Sequence, residues 1–458
     1  YSFTPELAGV FTYRTDFAET EVDARQVNLT RFPLFFPEKR AFFVEGANQF
    51  DFGYGLDQDF IPFFSRRIGL FAEREVALDG GLKLLGHVGR WSVGALGVRT
   101  REDSGGPPAT TLAAGRFAFD VGPHWRLGTL FTQGDPGGVR DNSFTGADAV
   151  FRTTTFRGDK NLVASAWGAR SAGDLGPGRR DGWGARLEYP NDLWQLYADL
   201  REFGEALDPA LGFLPRPGTR WYKLGTAYQP RPDADGRFGW ARQLFFENYD
   251  YLITDLHGQT QSWRVFLAPF NVVTRAGDHF EANVVPYYER LTAPFGIADD
   301  VTLPAGGYRF NRFRAQAEAA SSRQLRPAIT VWFGGFYDGR LTQWLPQLGW
   351  SSPRGHLRLD LSGELDRASL REGSFTDRLL GLRAVYAVTP DLVVSSFTQY
   401  DSTSSAVGTN NLVRWTLQPG RDLYLVLNRS WNHRPGGRFR LTPQEDQISA
   451  KVRWTFWW

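Results

Sequence analysis

Residues 447–458 read QISAKVRWTFWW, and apolar and polar side chains alternate along the whole stretch. Successive side chains of a β-strand point to opposite faces, so the alternation gives one strand a dry face and a wet face. The dry face carries Ile448, Ala450, Val452, Trp454, Phe456 and Trp458, and the wet face carries Ser449, Lys451, Arg453 and Thr455. The stretch therefore predicts an amphipathic strand.

The same alternation recurs upstream, for example in HLRLDLSGELD at residues 356–366 and again at residues 194–201 and 413–418. Helical periodicity is scarce by comparison. The chain is 42% hydrophobic with a mean hydropathy of -0.36, and its apolar runs are short, as at residues 423–427. A membrane-spanning helix needs about 18 or more apolar residues. We therefore expect an all-β fold without spanning helices.

A soluble β-sandwich also alternates, because it too has one wet and one dry face. Three features favour a transmembrane outer-membrane β-barrel instead. The strands run to about ten to fourteen residues, aromatic residues gather at their ends, and the polar face carries charges freely. Short turns such as GPHW at 122–125 and TPD at 389–391 also alternate with longer loops rich in Gly, Pro and Asp. Short periplasmic turns and long extracellular loops give this rhythm.

On this basis we predict 22 antiparallel strands, within a range of about 18–26, an even number as single-chain bacterial barrels have. The predicted strands lie near residues 8–22, 79–88, 90–101, 109–121, 124–134, 141–155, 160–172, 180–189, 192–204, 218–230, 238–254, 258–272, 278–292, 308–322, 326–338, 340–351, 355–366, 376–388, 391–401, 404–417, 421–432 and 445–458. Residues 1–458 then form one barrel domain.

The block at residues 23–79 contains no predicted strand. Wide barrels need a plug, and a long structureless insertion is uncommon unless it is ordered against something. We expect this block to connect the first two strands at the end away from the short turns and to fold back into the lumen as a plug.

The sequence RFPLFFPEKRAFFVEGANQF, at residues 31–50, is both aromatic and charged. We interpret its phenylalanines 32, 35, 36, 42 and 43 as a small core inside the barrel. Its charges should then fasten the plug by pairing with lumen-facing Asp and Glu, because buried charges persist only when paired. The fastening residues on this interpretation are Glu38, Lys39, Arg40, Glu45, Arg66 and Arg67. A gating or ligand-binding role and acid/base catalysis are the alternatives.

Other charged residues suggest further sites. The polar strand faces should line the lumen and tune its selectivity, through Arg358, Asp360, Glu364, Arg414, Lys451 and Arg453. In ALGFLPRPGTR at 210–220, Arg216 and Arg220 could grip an acidic partner or lipopolysaccharide phosphate, unless the loop folds over the barrel mouth. Asp51, Asp57 and Asp59 offer oxygen ligands for calcium, with a solvated turn as the alternative. No other cofactor is expected.

Four stretches resemble a widespread, poorly characterised bacterial outer-membrane family: residues 13–46, PFFSRRIGL at 62–70, residues 80–100 and LDPALGFLPRPGTRWYKLGTAYQPRP at 207–232. Full-length members look like an N-terminal β-sandwich similar to family-nine carbohydrate-binding modules joined to a C-terminal outer-membrane barrel. This chain holds only the part that resembles the barrel. The resemblance implies a fold and a bacterial outer-membrane location, and it carries no settled activity.

We therefore expect a channel or transporter for a polar solute, with a carbohydrate-related solute as one candidate. The alternative is a non-conducting barrel that anchors, assembles or exports a surface complex. Expected partners are outer-membrane lipid, lipopolysaccharide and surface or periplasmic proteins. Nucleic acid is not expected, because the net charge is only +2. An enzyme is not expected either: cysteine is absent, the six histidines are scattered, and no HExxH or GxSxG motif occurs.

Overall fold

The computed structural model describes residues 2–4, 6–14, 22–71, 74–102, 106–433 and 441–454. Its first strands are β1 (Ser2–Thr4), β2 (Leu7–Tyr13), β3 (Leu70–Phe71), β4 (Arg74–Glu75), β5 (Leu78–Val88), β6 (Trp91–Thr100), β7 (Thr111–Val121), β8 (Trp125–Gln133), β9 (Asn142–Phe156), β10 (Lys160–Gly173), β11 (Asp181–Pro190), β12 (Trp194–Phe203), β13 (Thr219–Tyr228) and β14 (Ala241–Leu244). The remainder are β15 (Phe246–Asp255), β16 (Thr260–Thr274), β17 (His279–Leu291), β18 (Phe295–Ala298), β19 (Val301–Leu303), β20 (Gly306–Glu318), β21 (Leu325–Phe336), β22 (Gly339–Ser351), β23 (Leu357–Ser369), β24 (Ser374–Ala387), β25 (Leu392–Asp401), β26 (Ala406–Gln418), β27 (Arg421–His433) and β28 (Leu441–Trp454).

Among the residues described, helical structure is confined to one turn, α1 (Ala41–Val44), and to three 3-10 turns at Ala47–Phe50, Asp57–Asp59 and Ser65–Arg67. Within the described ranges, no helix combines the length and apolar character needed to cross a membrane.

A single antiparallel sheet of 24 strands accounts for nearly all of the structure. Strands β14 and β15 act as one strand interrupted at Phe245, because β14 pairs with the C-terminal end of β16 and β15 with the rest of it. Setting the three-residue β1 aside, the described part of the chain then has 22 long strands, each paired with the next along the sequence. The predicted all-β antiparallel fold and its strand count are confirmed.

The two faces of the sheet differ in polarity. Leu82 on β5 is 60% exposed, whereas Lys83 beside it is 2% exposed. The same contrast runs through the sheet to β28, where Ile448 and Val452 are 73% and 64% exposed. A water-soluble protein hides such side chains, so an apolar outer face and a charged inner face match the pattern of a transmembrane barrel.

Aromatic side chains form a belt at one end of the strands. Trp91, Trp125 and Trp194 open strands β6, β8 and β12, and all three are largely exposed. Each contacts a ring on the next strand, at 4.8 Å for Trp91 and Phe119 and at 4.6 Å for Trp194 and Tyr228. Amphipathic aromatic rings favour the membrane–water interface, so the belt is typical of a barrel rim.

Several connections at this belt end are short, as at residues 89–90, 122–124 and 157–159, although the one at 229–240 is long. Longer connections lie at the opposite end, at 101–110, 134–141 and 204–218, and residues 14–77 join β2 to β5 there. In the described part of the block predicted at 23–79, the strands are the hairpin β3–β4 and the first two residues of β5.

Some sequence expectations need correction or lie outside the described residues. The small hairpin β18–β19, between β17 and β20, was not predicted. Strand β28 ends at Trp454, so residues 455–458 of the opening stretch lie outside the description, as do residues 15–21 of the predicted first strand.

Candidate functional site

Residues 22–71 lie against the concave face of the sheet and form the candidate site. We call them the inner segment and divide them into an arm, residues 22–35, and a body, residues 36–71. The arm reaches β25 through Arg25 and β17 through Arg31, while the body reaches β12 through Asp59. Because these strands lie far apart in the sheet, the sheet must curve around the segment.

The body is compact because short turns follow one another. Gly46, with φ of 68°, separates α1 from the next 3-10 turn. This left-handed backbone favours glycine, and a Cβ at Gly46 would also displace a methyl group of Leu85 on strand β5. The turns point large rings toward the sheet, among them Phe43, Phe50 and Phe60.

Two apolar cores join the body to one half of the sheet. In the first, Phe43, Phe50 and Ile68 pack against side chains of β5 to β7. In the second, Phe60 is 1% exposed and its ring lies 5.1 Å from Trp167 and 5.3 Å from Phe203. Each such side chain contributes about 1.5–3 kcal/mol when fully buried. These cores therefore dominate the attachment of the body.

Of the phenylalanines predicted to form the inner core, only Phe43 is buried. Phe32, Phe35, Phe36 and Phe42 are half-buried. The fully buried rings of the body lie mostly further along the sequence, at Phe50, Phe52 and Phe60.

Glu38 and Arg40 fold the body onto itself. Arg40 donates to the Glu38 carboxylate through Nε, at 2.8 Å, and through Nη2, at 2.6 Å. Arg40 also donates to the carbonyl of Ile68, and the hydroxyl of Ser65 donates to Glu38 at 2.8 Å. Burial alone would raise the pKa of Glu38, but these hydrogen bonds and the charge of Arg40 lower it below its ordinary value.

The other predicted fastening residues also lack the expected partners, which were acidic side chains of the sheet. Lys39 and Arg66 both pair with Asp23 of the arm, and Arg67 donates to the carbonyl of Ala210. The Glu45 side chain is exposed, and its backbone carbonyl accepts from Lys83 of β5 at 2.6 Å. The expected pairing of Glu38, Lys39, Arg40, Glu45, Arg66 and Arg67 with acidic groups of the wall is thus corrected. The sheet presents Lys83, not an acidic residue, beside Glu45, and the carboxylate that pairs with Lys39 and Arg66 is Asp23 of the arm.

Different residues make the ion pairs between the inner segment and the sheet. Asp59 accepts from Arg201 at 2.8 Å and from Lys223. Arg31 pairs with Glu289 at 2.9 Å, and Arg25 with Asp401 at 3.3 Å. The available sequence signal was the placement of Arg201 and Lys223 on the polar faces of predicted strands, opposite an acidic turn.

The three acidic residues proposed for calcium do not gather. Asp59 is occupied by its two cationic partners, and Asp57 is exposed to solvent, as is Asp51. Across the residues that the structure describes, no group of three or more His, Cys, Asp or Glu side chains is placed to hold a metal ion.

The connection at residues 204–218 folds inward and lies on the body. Backbone hydrogen bonds join Ile61 to Phe213 in both directions, at 2.9 and 2.7 Å, and the amide of Phe64 donates to Leu211 at 2.7 Å. Arg216 turns inward as well, donating to Ser262 at 2.6 Å and lying over the ring of Phe32. Its predicted outward role is therefore corrected.

Arg220, the second predicted loop contact, belongs to strand β13. Its Nε donates to Glu202 of β12 at 2.6 Å, so its charge is paired with the neighbouring strand.

The hairpin β18–β19 covers another part of the same end of the sheet. Its residues Ile297, Val301 and Leu303 are buried in a third core with Tyr337 and Leu341. Leu29 of the arm packs against this core. The arm therefore passes beside the hairpin core.

The predicted lumen-lining residues share the polar face of the sheet. On β23, Arg358 pairs with Asp360 at 2.7 Å, and Glu364 lies on the same face. Arg414 is in register with Tyr424, which is in register with Lys451, and Asp422 is in register with Arg453.

The basic members of this set cluster at the belt end of strands β23 to β28. We call Arg358, Arg414, Lys451 and Arg453 the basic mouth. Arg358, Arg414 and Arg453 are exposed. Asp360 pairs with Arg358 and Asp422 is in register with Arg453, so the four cations exceed these two carboxylates and the mouth keeps a positive excess.

Two cavities lie between the inner segment and the sheet, and a third, of about 560 Å³, lies between the segment and the connection at residues 204–218. One, of about 880 Å³, lies between the body and strands β5 to β9. The other, of about 740 Å³, lies between the arm and strands β13 to β22, and it is lined by many rings and charges. We call the second the arm cavity.

Comparisons with known proteins give one family match over a short stretch and a distant structural similarity. Residues 11–81 match a family described as Domain of unknown function (DUF5916). No curated protein matches the sequence. Among solved structures, the chain is similar to the open form of the ferric-catecholate import receptor Fiu from E. coli K12, with 9% identity and a TM-score of 0.42, over 82% of this chain and 72% of the receptor.

Proposed function

We propose that this chain is an integral barrel of the bacterial outer membrane that passes a polar solute, with the inner segment as its plug. The apolar outer face, the aromatic belt and the charged inner face support the membrane location. The polar inner face supports a hydrated pathway, since charges on such a face attract and select solutes.

The asymmetric attachment of the inner segment is the observation that carries the proposal. The body is joined to strands β5 to β12 by two apolar cores and by the Asp59 ion pairs. Toward strand β25, the described contacts of the arm are polar, such as Arg25 with Asp401 and with Gln399. Breaking partly exposed polar contacts costs much less free energy than exposing buried aromatic rings to water. The pathway then runs between the arm and strands β25 to β28, while the body stays in place.

The basic mouth lies on this same side of the sheet and gives the pathway a preference for anions. Clustered charges of one sign raise the local concentration of ions of the opposite sign. In this proposal, a carbohydrate-related solute would need an acidic group to benefit from the mouth.

A planar bilayer containing the purified protein tests the proposal. We expect a small ionic current whose reversal potential under a salt gradient reports anion preference. The double variant R414Q/R453Q should weaken that preference, and R237Q, in an exposed turn, should leave it unchanged.

The two apolar cores also favour a second function, a non-conducting barrel that anchors or exports a surface complex, because they hold the body rigidly. Absence of current in the wild type and in a variant with a loosened arm, R25Q/R31Q, would support this second function and contradict the first.

A further inference from the structure

The arm cavity has an unusual balance of charge. It lies between arm residues 26–35 and strands β13, β15 to β17 and β20 to β22. Its charged lining consists of five cations and two carboxylates, namely Arg31, Arg216, Lys223, Arg264, Arg312, Asp59 and Glu289. Its volume of about 740 Å³ lies within the range of small-molecule sites.

Both carboxylates are already engaged. Asp59 accepts from Lys223 and from Arg201, and Glu289 accepts from Arg31. The remaining cations therefore depend on neutral groups among the described residues.

Those neutral contacts leave three guanidinium groups without a carboxylate within ion-pair distance in the described part of the chain, although Glu289 lies near Arg216 and Asp366 near Arg312. Arg216 donates to Ser262. Arg312 donates to the carbonyl of Leu341 at 3.1 Å and to the amide oxygen of Gln343 at 2.7 Å. Arg264 lies over the ring of Tyr251, at 4.9 Å from its centre. Enclosed positive charge of this kind is costly unless an anion balances it.

Two donors in the cavity are also unused. The Nε–H groups of Arg31 and Arg264 are buried, and no acceptor among the described residues reaches them. Buried N–H groups nearly always have a partner, so an unused pair in one cavity points to a missing acceptor. A guanidinium presents its N–H groups as a planar fork that fits a carboxylate or phosphate.

Aromatic rings supply the rest of the lining. Tyr287 and Phe310 stack at 5.5 Å between centres, and Trp221 and Trp332 face the same space. Flat rings pack against the apolar face of a ring-shaped ligand. The lining therefore combines oxyanion recognition with a surface for an organic body.

We propose that the arm cavity binds a small organic anion, whose carboxylate or phosphate group is held by Arg264, Arg312 and Arg31 and whose body packs on the aromatic rings. The inference deepens the proposed function and rests on it, because it names the class of solute. Since Arg31 belongs to the arm, an anion that competes with Glu289 for Arg31 would also loosen the arm.

Calorimetric titration of the purified protein in detergent tests this site. The probes are two matched pairs, glucuronate against glucose and glucose 6-phosphate against glucose, which share a ring and differ in the anionic group. We expect the anions to bind and glucose to show no heat. The R264Q and R312Q variants should each weaken anion binding roughly tenfold or more, because each removes a charge-assisted hydrogen bond. Comparing the affinities of glucuronate and glucose 6-phosphate shows whether the site prefers a carboxylate or a phosphate.

R237Q, in the exposed turn, is the matched control and should bind like the wild type. Heat-dependent migration on gels shows that each variant is folded. Because Trp221 and Trp332 line the cavity, quenching of tryptophan fluorescence gives a second measure of binding.

Equal binding of glucose and the anions, no binding of either anion by folded protein, or unchanged affinity in R264Q and R312Q would overturn the site. Binding of inorganic phosphate as tight as that of the sugar phosphate would also overturn it, because the rings would then contribute nothing. Binding without current in the bilayer would overturn transport and leave the site standing, whereas current without binding would overturn the site alone.

Discussion

Arg31 of the arm and Glu289 of strand β17 lie 2.9 Å apart and join positions 258 residues apart in the sequence. The pair is partly exposed, at 23% and 18% of the two side chains, so its contribution is about 1 kcal/mol. We predict that R31Q raises the current through the protein in a planar bilayer, because the arm is less firmly held.

E289Q should raise the current as well, and the double variant should add little to either single change, since both remove one interaction. R237Q serves as the control. Additive effects of R31Q and E289Q would contradict a direct pair.

Asp59 balances two cations of the sheet, and one of them, Arg201, is only 1% exposed. We predict that D59N lowers the free energy of unfolding by about 3 kcal/mol, because it removes the carboxylate that pairs with the largely buried Lys223, whereas Arg201 keeps its pair with Asp199. Urea unfolding followed by tryptophan fluorescence measures the loss, and protease cleavage within the body should become faster.

Asp57 provides the matched comparison, since it lies in the same turn and is exposed. D57N should leave both the unfolding and the cleavage unchanged. Equal effects of D59N and D57N would contradict this account. They would show that stability depends on the net charge of the turn and not on the contacts of Asp59 with Arg201 and Lys223.

The lowered pKa of Glu38 predicts a loss of stability in acid. A carboxyl whose folded pKa lies below its unfolded value, about 4.3 for Glu, contributes stability that is present above the unfolded value. That contribution is lost as the pH falls through the lower, folded pKa. Protease cleavage of the body should therefore increase below about pH 4 in the wild type.

In E38Q the body should be cleaved more readily at neutral pH, with a smaller further increase in acid. If cleavage of the wild type and of E38Q depended on pH in the same way, the Glu38–Arg40 contact would not be the source of the acid sensitivity.

Local pattern was enough to predict the strands, because each strand carries its own alternation of polar and apolar residues. Ile448 and Val452 were assigned to the face opposite Ser449 and Lys451 for this reason, and Leu82 beside Lys83 shows the same alternation in the structure. The partners of the inner charges could not be predicted this way. Which carboxylate meets Arg31 depends on how far the sheet curves and where the arm crosses it, and neither is encoded within one strand.

Arg216 illustrates the same limit. Its proline-flanked loop had the composition of an exterior connection, yet backbone pairing between Ile61 and Phe213 draws the loop onto the body. Such pairing between distant segments leaves no periodic signal in either of them.

The central claim is that solute passes while the body stays in place. A disulfide that joins the body to the sheet tests this claim most directly. The chain has no cysteine, and a Cβ at Gly94 of β6 would lie 3.3 Å from the Cβ of Gln49, close to the spacing of about 3.5–4.5 Å in disulfides. We predict that Q49C/G94C conducts equally well oxidised and reduced in a planar bilayer. Current that disappears on oxidation and returns on reduction would contradict the account, as would the absence of current in both states.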